Sequence, residues 1–132
     1  MKNKNLFPLL ILILLVSCSF GVLHNKKLEQ SIHSAMKENG KVDLDKVADF
    51  NWDTAHLFHP YTTQSEINEE LGFTFKDPSG IKSRDDIHLL VFVHDHKVIQ
   101  YVEVSREYGD PILEDGATLT PSNAVFEVKR IN

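Results

Sequence analysis

The stretches IHLLVFV (87–93) and VIQYVEVS (98–105), separated by the polar HDHK (94–97), decide how this chain folds. Two runs rich in β-branched and aromatic residues around a short polar break predict a β-hairpin. With Asp95-His96 as a two-residue turn, Val93 faces Val98, Val91 faces Gln100 and Leu89 faces Val102, and these form the expected core face. The period of two sends Leu90, Phe92, Ile99 and Tyr101 to the opposite face. That face is equally apolar, so it needs either a covering helix or a binding partner. A covering helix is the expected arrangement.

Outward from the hairpin, Asn25 to Asn39 carries Leu28, Ile32, Ala35 and Met36 at helical spacing, with Gly40 positioned to end the helix. Asp43 to Ala48 predicts a short helical turn. Phe50 to Phe58 reads as a strand in which Phe50, Trp52, His56 and Phe58 share one face. Thr63 and Glu66 have capping-box spacing, Ile67 and Leu71 lie four apart, and Gly72 follows them, which predicts a second helix. Phe73 to Asp86 is turn-rich around Asp77-Pro78-Ser79-Gly80 and predicts a loop. Glu107 to Asn123 reads as an acidic loop. Ala124 to Ile131 closes the chain as a strand with Ala124, Phe126 and Val128 inward. The expected fold is therefore α+β, with two or three helices on a mainly antiparallel four-stranded sheet in the order α-β-α-β-β-β.

Composition agrees with one such domain. The 132 residues are 42% hydrophobic and 25% charged, an ordinary globular balance. A formal charge of −5 opposes nucleic-acid binding. The single cysteine, Cys18, excludes an internal disulfide framework and a multi-cysteine zinc site.

The position of that cysteine is informative. Lys2 and Lys4 precede an apolar run from Leu6 to Val16, too short to span a bilayer comfortably. A basic start, a short apolar run and small residues together read as a secretory signal. Here they end in Leu15-Val16-Ser17-Cys18, which resembles the lipobox of bacterial prolipoproteins at all four positions. The resemblance implies cleavage after Ser17, diacylglyceryl and N-acyl groups on Cys18, and an extracytoplasmic protein held at the cell membrane or outer membrane. Paired acyl chains give the stable anchoring that one chain does not. The implied organisation is a signal peptide over 1–17, a lipidated N-terminus and tether over 18–25, and a single α+β domain over 26–132. Loss of Lys2 and Lys4 on cleavage leaves the mature chain more acidic. An eight-residue tether reaches at most ~28 Å.

A second resemblance rests on Phe50 to Gly72: Phe50-x-Trp52-Asp53, a hydrophobic strand, Pro60-Tyr61-Thr62, and a helix ending Leu71-Gly72. This run resembles small bacterial lipoproteins without an established activity, so it implies no catalytic residues. The order of a helix followed by antiparallel strands is loosely similar to envelope lipoproteins that act as assembly or inhibitory modules.

Catalytic signatures do not appear. The sequence has no Gly-x-Ser-x-Gly elbow, phosphate loop, dinucleotide fingerprint or His-Glu-x-x-His pattern. Seven histidines raise a metal-binding alternative. Its candidates are His94, Asp95 and His96 at the hairpin tip, joined by His56 or His59, although His56 and His59 have opposite strand parity. His88 is expected opposite Glu103, a pairing that needs no metal. In the acidic loop, taking Gly116 as the sixth position of an EF-hand puts Pro111 and Leu113 where carboxylates are required. A hydrolase remains a further alternative, requiring groups that converge from distant segments. The leading expectation is a lipid-anchored, non-enzymatic module that contacts an envelope protein or small ligand. Its candidate surfaces are Asp110, Glu114 and Asp115 in the acidic loop, and Leu90, Phe92, Ile99 and Tyr101 on the hairpin.

Overall fold

The structure, a computed structural model, describes residues 21–130. Ser17, Cys18 and the apolar leader lie outside the described residues. The central hairpin forms as β4 (Ile87–His94) and β5 (Lys97–Ser105), closed by Asp95 and His96 at φ +55° and +61°. Two consecutive left-handed residues match the right-handed twist of the flanking strands. Val93 pairs with Val98 as expected, but a bulge at Ile99 then shifts the register. Phe92 therefore faces Gln100, Val91 faces Tyr101, Leu90 faces Val102, and Leu89 faces Glu103. One extra residue reverses the facing of everything beyond it, so Tyr101 joins Val91 rather than Leu90 and Phe92.

The hairpin belongs to a mixed five-stranded sheet rather than a four-stranded one. Its order is β1-β5-β4-β3-β7, with β1 at Leu23–His24, β3 at Thr54–Phe58 and β7 at Thr118–Leu119. β1 runs parallel to β5, while the other pairings are antiparallel. The closing strand, Val125–Lys129 (β8), leaves this sheet. It sits between β2 (Lys41–Asp43) and β6 (Asp110–Pro111) in a second, three-stranded sheet. Ala124 and Phe126 are buried as expected.

Among the described residues, three α-helices complete the α+β fold. Helix α1 spans Lys26–Asn39, capped by the Asn25 side chain on Leu28 N–H and ended by Gly40 at φ +68°. Helix α2 is the short turn Leu44–Val47, and α3 is Gln64–Leu71, begun by the reciprocal Thr63–Glu66 capping box. The large sheet is covered on both faces. On one, Leu28, Ile32 and Met36 of α1 pack with Leu57, Leu90, Phe92 and Val102, joined by Val42 and Phe126 of the small sheet. On the other, Ile67 of α3 and Phe75 and Ile81 of the following loop pack on Leu89, Val91 and Tyr101. Double coverage explains why Ile87 through Val93 form an unbroken apolar run apart from His88.

Two consequences bear on the candidate surfaces. Leu90 and Phe92 are fully buried, Tyr101 nearly so, and Ile99 is partly buried against the same core as Leu90 and Phe92, so the expected hairpin surface is covered. The expected face over 50–58 also divides: strand β3 starts only at Thr54, so Phe50 and Trp52 pack with the Ala55–Leu57 side and Phe58 with the other.

Helix α1 also seals the edge of β5 where β1 stops. Glu29 accepts from Glu103 N–H at 2.8 Å, and His33 Nε2 accepts from Ser105 N–H at 2.9 Å. Side chains thus stand in for a further strand along an otherwise open edge. The chain joins the fold before α1: Leu23 pairs with Gln100, and Asn25 N–H donates to Tyr101 C=O. The end of the expected 18–25 tether is therefore bound to the sheet.

Candidate functional site

The antiparallel register of β3 and β4 pairs Phe58 with Leu89, so the next residues outward, His59 and His88, become neighbours. Their rings meet edge to face with centroids 5.1 Å apart. His59 Nε2–H donates to Leu113 C=O at 2.9 Å, tying the end of the sheet to the acidic loop. His88 Nε2 lies 3.0 Å from Asp110 Oδ1, and Arg106 grips both oxygens of that carboxylate at 2.8 and 3.1 Å. The one-turn 3₁₀ segment Arg106–Tyr108 and Gly109 bring Arg106 and Asp110 to this spacing.

Asp110 is therefore the centre of an ion-pair network. The Arg106 hydrogen bond, aided by His88, holds its carboxyl down at about 2. Burial is the largest influence on His88 and lowers its pKa, against the raising effect of Asp110. His88 is 5% exposed, and its Nδ1 is buried without a hydrogen-bond partner among the described residues. This His–Asp pair has the composition of a proton-transfer dyad, but its free nitrogen faces the interior. A base needs hydrogen-bond reach to its substrate, and this nitrogen has none from solvent.

Over the same end of the sheet stands Tyr61, 59% exposed and held at φ +69°. Its N–H donates to Ile81 C=O at 2.9 Å, while Thr62 N–H and Oγ1–H donate back to His59 C=O. The turn is closed on both sides of Tyr61, and this holds an aromatic residue in a left-handed conformation that costs about 1–2 kcal/mol. The Asp85 charge raises the phenol pKa, and Arg106 opposes it more weakly.

The structure redistributes the sequence candidates. Asp110 is half-buried and paired with Arg106 and His88, and Asp115, although exposed, is engaged by the protein itself, accepting from His59 N–H at 2.8 Å and from Thr62 Oγ1–H. Glu114 is exposed as well, and of the three acidic-loop residues it alone makes no side-chain hydrogen bond among the described residues. His88 lies opposite Val104, not Glu103, because of the bulge; Glu103 instead pairs with Arg84 at 3.0 Å. His56 lies on the other face from His59, between Thr54 at 3.1 Å and Thr118 at 3.4 Å. At the far end of the hairpin, His94 Nδ1 is 3.4 Å from Asp53 Oδ1, and Asp95 N–H donates to Asp53 Oδ2 at 2.8 Å. Among the described residues, no three His, Cys, Asp or Glu side chains form a group able to hold a metal.

Tyr61 and Arg106 carry no spacing signal, and the sequence pattern does not reveal them as a pair. The clue it does hold is His59, one residue beyond a strand whose register against β4 fixes its neighbour. Comparison of the chain with protein-family models, with curated proteins and with solved structures gives no match.

Proposed function

We propose that the protein is a lipid-anchored, extracytoplasmic envelope protein whose α+β domain binds a protein or small ligand without catalysing a reaction. The lipobox-like Leu15-Val16-Ser17-Cys18 supports the anchor. The observation that carries the binding role is Tyr61: an exposed aromatic side chain kept in a costly backbone conformation, its phenol under the influence of the Asp85 and Arg106 charges. Tyrosine and arginine are the residue types that most often dominate binding energy, and local strain that the fold maintains favours a role for the residue it presents. The buried orientation of His88 Nδ1 favours a binding role over acid–base chemistry at the same site.

The test uses the lipidated protein in its native envelope, with a photo-crosslinking aromatic residue substituted at Tyr61 and, as a control, at the exposed Ser122. A defined adduct at position 61 that is absent at 122, and whose partner is no longer co-purified by a folded Tyr61→Ala variant, supports the reading. Unchanged co-purification by Tyr61→Ala contradicts it.

A further inference from the structure

Beside β1, at the other end of the hairpin from Tyr61, apolar and basic side chains share one shallow groove. Val22, Phe73, Lys76, His96 and Lys97 line it, and Leu23 follows Val22 along its rim. Val22 is 37% exposed and Leu23 55%, while Lys76, His96 and Lys97 are exposed around them. Each element of the groove is set by the fold. Leu23 pairs through its backbone with Gln100, which leaves its side chain in solvent. The tight Asp95-His96 turn presents His96 and Lys97, and the loop after α3 brings in Phe73 and Lys76.

Three carboxylates lie close by. Asp77 is occupied, one oxygen accepting from Ser79 N–H and Oγ–H and the other from Ile81 N–H. Asp95 is exposed at the turn, and Asp53, also exposed, accepts from Asp95 N–H and lies beside His94 behind the rim. In an acidic protein, two exposed lysines beside exposed aliphatic side chains are the pattern of an interfacial contact. Apolar groups enter the headgroup boundary while ammonium groups meet phosphates.

We propose that this groove rests on the surface of an anionic phospholipid bilayer, with Val22 and Leu23 at the headgroup boundary and Lys76 and Lys97 on lipid phosphates. The placement rests on lipidation of Cys18. Val22 is four residue steps from Cys18, a reach of at most ~14 Å, so acyl chains on Cys18 hold this region of the domain against the membrane. Charge complementarity then selects the orientation. A lysine near an anionic surface favours contact by about fivefold. The Tyr61 site, at the other end of the hairpin, is left facing away from the bilayer.

The acylated protein is placed in vesicles of phosphatidylcholine and phosphatidylglycerol containing brominated lipid. A fluorophore is attached at Thr74→Cys on the groove or at Ser122→Cys beyond β7, on the sheet edge opposite β1. With Cys18 acylated, the introduced thiol is the one that takes the label. Quenching is expected to be several-fold stronger at 74 than at 122, with the difference reduced by Lys76→Gln with Lys97→Gln or by vesicles of phosphatidylcholine alone. Equal quenching at both positions in a protein that carries acyl label overturns the placement while leaving the anchor intact. A mature protein without acyl label overturns the anchor and the placement together.

Discussion

His59 and His88 face one another across strands β3 and β4 with ring centroids 5.1 Å apart, and each is tied by Nε2 to the loop that follows β5. This pair joins the sheet to the Arg106–Asp115 segment, which has little regular structure of its own. Asp110 is the hub of that connection. Asp110→Asn keeps the shape but removes the charge that Arg106 grips, and is expected to lower stability by about 1–2 kcal/mol, discounted for the partial exposure of the pair. A urea titration checks this, with a lower midpoint and an unchanged slope as the expected outcome.

Stability should rise with pH in two windows. His33, His56 and His88 all have pKa values lowered from 6.5, in each case mainly by burial. The unfolded chain therefore binds more protons just below pH 6.5, so these contributions are complete above that value and are lost as pH falls through the folded-state values. Asp110, held at about 2 against an ordinary 3.8, adds stability that is complete above its unfolded value and is lost on further acidification towards 2. Melting temperature measured from pH 8 down to 5 should decrease below about 6.5. His88→Gln should flatten that decrease.

Gly109 and Gly40 give a controlled contrast. Both have positive φ, but a Cβ on Gly109 would lie 2.6 Å from Val128 Cγ1 and 2.8 Å from Lys129 O, whereas nothing lies within 4 Å at Gly40. Gly40→Ala should cost about 1 kcal/mol from backbone strain alone. Gly109→Ala must also displace β8 and should cost roughly 3 kcal/mol or more. Equal losses in chemical denaturation would contradict the packing assigned to the small sheet.

The hairpin turn predicts a stabilising change. Asp95 and His96 both occupy left-handed conformations that disfavour side chains, and Asp-Gly is a preferred pair for this turn. His96→Gly should raise stability by about 0.5–1 kcal/mol, read as a higher urea midpoint.

Local signals in the sequence carry most of the elements. Asn25 and Gly40 bracket α1, Thr63 and Glu66 start α3, and the polar tetrad 94–97 places the central turn. Pairing beyond the hairpin depends on tertiary packing. The bulge at Ile99 leaves no mark in an alternating apolar strand, and it reverses the facing of Tyr101 and moves Glu103 away from His88. β8 alternates as well as any strand of the main sheet, and only its partners place it in the second one. The acidic loop shows the same limit for the site. Its charge is plain from composition, but whether a carboxylate meets solvent or an internal arginine depends on chain reversal at Gly109. Tyr61 takes its left-handed conformation from hydrogen bonds to Ile81 and His59 that close the turn, which no residue spacing encodes.

Acylation of Cys18 is the direct test of the lipid anchor. Cells supplied with a clickable fatty-acid analogue should yield a labelled mature protein beginning at Cys18, and Cys18→Ala should abolish the label and release the protein from the membrane fraction. A wild-type protein that matures without label, or a Cys18→Ala protein that keeps it, would contradict the lipid-anchored account.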